Sequence, residues 1–131
     1  MSHKWEAGPF KNPLARARGL GNGHGALHHW MNQRITSLAL IPLTLWAIWS
    51  VVALSGATYA NFQDWIVAFP NPILLGLFVL TSFYHAALGL QVVIEDYMHC
   101  ECVKLGTLIG MRLAIFALAA TAIFSILKLA L

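Results

Sequence analysis

The sequence predicts an all-α integral membrane protein with three transmembrane helices, and three observations predict it. Hydrophobic residues make up 59 % of the 131 and charged residues only 10 %, with a mean hydropathy of +0.70, outside the range of soluble domains. Between residues 35 and 94 the only formally charged side chain is Asp64. Three apolar stretches each approach the ~20 residues needed to cross a hydrocarbon core. A backbone exposed to lipid must satisfy its own hydrogen bonds, which favours helix throughout. This length leaves no room for a separate soluble catalytic domain, and a net charge of +3 is too small and too localised to argue for nucleic acid.

Residues 1–30 read as a basic, irregular arm. Residues 2–25 are rich in Pro, Gly and Asn and lack the apolar run of a signal peptide. Such an arm suits a membrane surface, a partner subunit or a solvated tail. The anchor domain covers 31–131, with spans at about 35–54, 73–96 and 107–129. Pro42 falls inside the first span, where it can kink the helix. Trp46 and Trp49 read as lipid-facing or packing residues. The linker 55–72 carries Gly56, Asn61, Asp64, Pro70, Asn71 and Pro72, all suited to turns. The linker 97–106 is short and polar. In the third span Gly106, Gly110 and Ala114 form a stripe of small residues that suits packing against the other helices or a partner chain.

Orientation follows from the basic residues. Lys4, Lys11, Arg16, Arg18 and Arg34 precede the first span, the first linker has none, and Lys104 and Arg112 mark the second. The positive-inside rule then places the N-terminus in the cytoplasm and the C-terminus in the periplasm. Lys128 opposes this weakly, because a single lysine can snorkel to the far surface. Arg34, Asp96 and Tyr97 are thereby expected together at the cytoplasmic face.

The most informative residue is His85, an imidazole in the middle of the second span. An ionisable group at that depth is costly and is a functional candidate by default. Eleven residues later comes Asp96, then Tyr97. Eleven helical steps return to within about 20° of the starting direction, so His85, Gly89, Val92 and Asp96 share one stripe. Neutral imidazole is a common axial ligand of haem iron. The other histidines, His3, His24, His28, His29 and His99, lie at or beyond the span edges. A haem with two axial histidines would therefore take its second ligand from another polypeptide. Gly89 would let a flat macrocycle or another helix come close. Asp96 and Tyr97 could hydrogen-bond and supply protons to a quinone head group, with Arg34 orienting the phenol or binding a haem propionate. One of His28 and His29 could touch a propionate or phosphate while the other is solvated. The His99-Cys100-Glu101-Cys102 run has the wrong spacing for a closed metal site, and its thiols are expected to be reduced and incidental.

Two segments, His28-His29-Trp30-Met31-Asn32-Gln33-Arg34-Ile35-Thr36-Ser37 and Tyr84-His85-Ala86-Ala87-Leu88-Gly89 through Asp96-Tyr97, resemble the small membrane-anchor subunits of succinate dehydrogenase that accompany a second cytochrome b anchor. Three spans, an inward-facing N-terminus and a similar length extend the resemblance over nearly the whole chain. It implies that His85 ligates a b-type haem whose opposite axial histidine comes from the companion anchor. It implies further that Tyr97 hydrogen-bonds ubiquinone, that Asp96 shapes or protonates that site, that Arg34 lies near the propionates and the quinone, and that His28 lies near the propionates. FAD and the iron–sulfur clusters would belong to a flavoprotein and an iron–sulfur partner subunit, with this chain as their anchor in lipid. The alternatives are an anchor of a quinol:fumarate reductase, a haem-free structural or assembly protein, and a small transporter, for which the first and third spans hold too few polar residues. The absence of an Arg- and Ser-rich leader points to a bacterial inner membrane rather than a mitochondrial one.

Overall fold

The computed structural model describes residues 23–131, with side chains from residue 27 onward. Among the described residues there are four helices and no strand: α1 (Gly23–Ala53), α2 (Tyr59–Val67), α3 (Asn71–Tyr97) and α4 (Glu101–Ala130). The chain divides into two units, residues 1–31 and residues 32–131, and of the first only the opening turns of α1 are described.

Three helices are long and apolar enough to cross a membrane: α1 from Leu27, α3 and α4. At 1.5 Å per residue, the 27 residues of α3 extend about 40 Å, more than the ~30 Å hydrocarbon core. Ile66 and Leu88 are the only buried apolar side chains among the described residues, whereas Leu38, Trp49, Val51, Phe116 and Phe124 are largely exposed. In water such a surface would drive aggregation; in a bilayer it is simply the face presented to the solvent.

Several hydroxyls of α1 and α4 are satisfied by their own helix. Ser50 donates to the Trp46 carbonyl, Thr107 to Val103, Thr121 to Ala117 and Ser125 to Thr121. These i−4 bonds let Ser and Thr sit at membrane depth without an unpaired donor. The helix α1 runs unbroken through Pro42.

The boundaries depart from the sequence expectation in three places. Helix α1 begins at Gly23, well before the arm boundary placed at residue 30, because Ala26 to Met31 contain no breaker and an established helix propagates cheaply. The rest of the predicted arm lies outside the described residues. Helix α4 begins at Glu101 instead of near 107, with the Glu101 carboxylate in the first turn, where the helix dipole favours a negative charge.

The third departure is α2, a helix inside the linker read as turn. Its N-cap is Thr58, whose side chain accepts from the Asn61 N–H at 3.4 Å. Phe62, Trp65 and Ile66 fall at i, i+3 and i+4, one helix face. Ile66 is 1 % exposed, and Trp65 stacks on Trp46 with ring centroids 6.0 Å apart. Trp46 is thus a packing residue, while Trp49 is exposed. The turn out of α1 uses Gly56 at φ +79°, a left-handed conformation that side chains disfavour. Asn71 then ties α3 back, donating to the Trp65 carbonyl at 2.8 Å.

Helices α3 and α4 pack along their length, with Ile123 3.8 Å from where a β-carbon on Gly76 would stand. A β-carbon on Gly106 or Gly110 would meet nothing within 4 Å among the described residues. These two glycines are not packed on the chain's own helices.

Candidate functional site

The stretch of α1 from Asn32 to Thr36 meets α3 through polar side chains at i, i+1 and i+4, which share one helical face. Thr36, only 9 % exposed, places its Oγ1 2.8 Å from Nδ1 of His85, which stands near the midpoint of α3. The same hydroxyl lies 2.8 Å from the Asn32 carbonyl and 3.1 Å from that of Gln33. Asn32 Nδ2 donates to the Tyr84 hydroxyl at 3.2 Å. Gln33 lies against Gly89, its Nε2 3.7 Å from where a β-carbon would be, and its Oε1 is buried without a hydrogen-bond partner among the described residues.

The sequence singled out His85 and Gly89 but not Asn32, Gln33 and Thr36. The available signal was three polar residues on one face of an apolar span. Gly89, expected to let a flat macrocycle or another helix come close, has Gln33 of α1 against it.

His85 is half-buried and forms one wall of an open groove of about 430 Å³, otherwise lined by Ser37, Leu40, Ile41, Thr44 and Leu45 of α1. With Nδ1 turned to Thr36, the Nε2 edge of the ring lies on the side away from that hydroxyl. An apolar wall beside an imidazole whose second nitrogen is free of Thr36 is chemistry that fits a haem. Among the described residues no three His, Cys, Asp or Glu side chains gather where they could hold a metal ion, and Cys100 and Cys102 are exposed free thiols. A haem would take one protein ligand from this face.

Arg34, Asp96 and Tyr97 occupy different levels. Because α1 starts early, Arg34 lies well inside the helix, beside Gln33 and hence near the level of Gly89. Asp96 is seven residues beyond Gly89 (96 − 89), about 10 Å further along α3. Tyr97 closes α3 and is 77 % exposed. On the opening turns of α1, His28 is exposed and His29 Nε2 is buried without a hydrogen-bond partner among the described residues.

A second polar chain joins α3 to α4. Arg112 Nη2 donates to Gln91 Oε1 at 3.1 Å, Gln91 Nε2 donates to Glu95 Oε1 at 2.8 Å, and Lys104 Nζ donates to the Glu95 carbonyl at 3.3 Å. This network gives Arg112, read from the sequence only as a topological charge, a neutral partner within the span.

Three apolar helices with an imidazole fixed between two of them define a multi-pass membrane protein built around a polar contact at mid-span. Residues 9–127 match the model of the succinate dehydrogenase/fumarate reductase transmembrane subunits, and the chain belongs to that family. It is 36 % identical over 105 residues to the succinate dehydrogenase hydrophobic membrane anchor subunit of Rickettsia bellii, covering 79 % of this chain and 83 % of that one. The subunits of the same name from Rickettsia felis and Rickettsia conorii are 34 % and 33 % identical, covering 70 % and 68 % of this chain and 72 % and 71 % of theirs. No solved structure matches the chain significantly. The chain is a membrane anchor of the complex II type.

Proposed function

We propose that this chain fixes a succinate:ubiquinone oxidoreductase in the bacterial inner membrane, and that with a second, cytochrome b-type anchor it holds a b-type haem and forms the quinone-reducing site. The observation that carries the haem reading is the 2.8 Å contact between Thr36 and His85 on the wall of an apolar groove. Metal-bound histidines characteristically have their other ring nitrogen fixed by a hydrogen bond. His85 has that partner, and an ionisable side chain at this depth is otherwise costly.

When bound, the haem supplies a one-electron redox centre. The chain's own contribution would be to hold the His85 imidazole on the groove wall with Nε2 free of Thr36, and to exclude water with Leu40, Ile41 and Leu45. The remaining histidines lie toward the span ends or outside them in the sequence, so a second histidine to hold the haem would come from the companion anchor. Gly89 and Gln33 set how closely α1 approaches α3 beneath the imidazole.

At the cytoplasmic end, the exposed Tyr97 hydroxyl would donate to a quinone carbonyl, and Asp96 beside it would shape the site or relay a proton to the head group. Arg34 on α1, near the level of Gly89, would hold a propionate there or, through the quinone lodged above it, help order the head-group site. His28 would lie near the propionates. Electrons reach the site from succinate through FAD and iron–sulfur clusters in a flavoprotein and an iron–sulfur subunit. On the positive-inside rule, the start of α1 would face those subunits on the cytoplasmic side.

A reduced-minus-oxidised spectrum of the purified complex, wild type beside His85→Ala, tests the reading. Loss of the b-type signal, or its conversion to a high-spin form, supports it. An unchanged spectrum, or no haem in the wild type, overturns it in favour of a haem-free anchor.

A further inference from the structure

We infer that Thr36 is the positioning residue that selects the tautomer of His85, holding the proton on Nδ1 and leaving the lone pair on Nε2, the ring nitrogen free of Thr36. The inference rests on the reading of His85 as a haem ligand. The Thr36 hydroxyl has one proton and two lone pairs. Its proton has a ready acceptor in the Asn32 carbonyl at 2.8 Å, the i−4 bond that helical Thr commonly makes. The lone pairs then remain for His85, whose Nδ1 is also at 2.8 Å. Nδ1 must carry the hydrogen for that contact to be a bond, and a neutral imidazole protonated on Nδ1 has its lone pair on Nε2. The 9 % exposure of Thr36 keeps out the water that could otherwise serve either tautomer.

The arrangement has an electronic consequence. An Nδ1–H that donates to an oxygen makes the imidazole a stronger donor through Nε2, and a stronger donor favours ferric over ferrous iron. Thr36 thus both orients the ring and lowers the haem potential.

The test is a potentiometric titration of the haem spectrum in the intact complex carrying Thr36→Val, Thr36→Ala or Thr36→Ser, with His85→Ala alongside. Thr36→Val keeps the shape and removes the hydroxyl. Its haem is expected to be retained, with the ferric-over-ferrous preference reduced about tenfold, an upward shift of about 59 mV for a one-electron couple. Ala and Ser both remove the γ-methyl, but only Ala removes the hydroxyl, so this pair decides the matter if the Val complex does not assemble. Ser at the wild-type potential with Ala shifted upward supports the inference. Equal potentials for Ser and Ala, shifted or not, overturn it while leaving His85 as a ligand. An unchanged spectrum in His85→Ala removes the ligand reading itself.

Discussion

Gln33 on α1 lies against Gly89 on α3, with its Nε2 3.7 Å from the position a β-carbon on the glycine would take. That separation is ordinary van der Waals contact. Gly89 therefore marks where two spans of this chain approach each other, and the space on that side already belongs to a glutamine.

Gly89→Ala is accordingly expected to assemble normally and to hold or slightly raise the melting temperature of the complex, since Ala gains up to about 1 kcal/mol of helix propensity over Gly. Gly89→Leu must displace Gln33 and should cost about 1–3 kcal/mol. Thermal unfolding of the two variants in detergent checks this. Severe loss in Gly89→Ala would mean that something outside this chain presses on the glycine.

Among the described residues Ile66 is the most deeply buried side chain, and it lies on the small helix α2. Ile66→Ala should destabilise by about 2–5 kcal/mol, the range for emptying a packed aliphatic site. The visible spectrum should be unaltered, because α2 contributes nothing to the His85 groove. A melting temperature equal to that of wild type would show that α2 is not held by this contact.

Tyr97→Phe deletes one exposed hydroxyl at the end of α3 and nothing from the His85 groove. Ubiquinone reduction is expected to fall about tenfold, the equivalent of one hydrogen bond of about 1.4 kcal/mol. Steady-state turnover measured beside the haem spectrum separates the two sites. A wild-type rate would remove Tyr97 from the quinone site, and a lost haem spectrum would show that the helix end had been disrupted.

The orientation can be read with thiol chemistry. Cys100 at the N-cap of α4 and Cys102 in its first turn, both exposed, should react with a membrane-impermeant maleimide in inverted vesicles and not in intact spheroplasts. A cysteine placed at Gln63 on α2 in a chain lacking the other two should show the opposite pattern. Reversal of both patterns would invert the topology drawn from Lys and Arg.

The spans and the mid-span place of His85 were legible in the sequence because lipid punishes charge and unpaired backbone so heavily that few patterns survive. The start of α1 was not, since Ala26 to Met31 suit a helix and an interfacial arm equally well. Helix α2 was hidden by Gly56, Pro70 and Pro72, although Phe62, Trp65 and Ile66 already carried a helical face. Thr36 escaped notice because a threonine in a span usually only bonds its own helix. Its second contact, to His85, depends on the register between α1 and α3, which no local pattern records. The same register places Arg34 near Gly89, away from the end of α3.

The most direct test of the central claim is imidazole rescue of His85→Gly in the assembled complex, followed by the optical and paramagnetic signature of the oxidised haem. If His85 is an axial ligand, the variant should show a high-spin haem or lose haem, and millimolar imidazole should restore a low-spin spectrum by entering the space the side chain left. A low-spin, wild-type spectrum in His85→Gly before any imidazole is added would contradict the account.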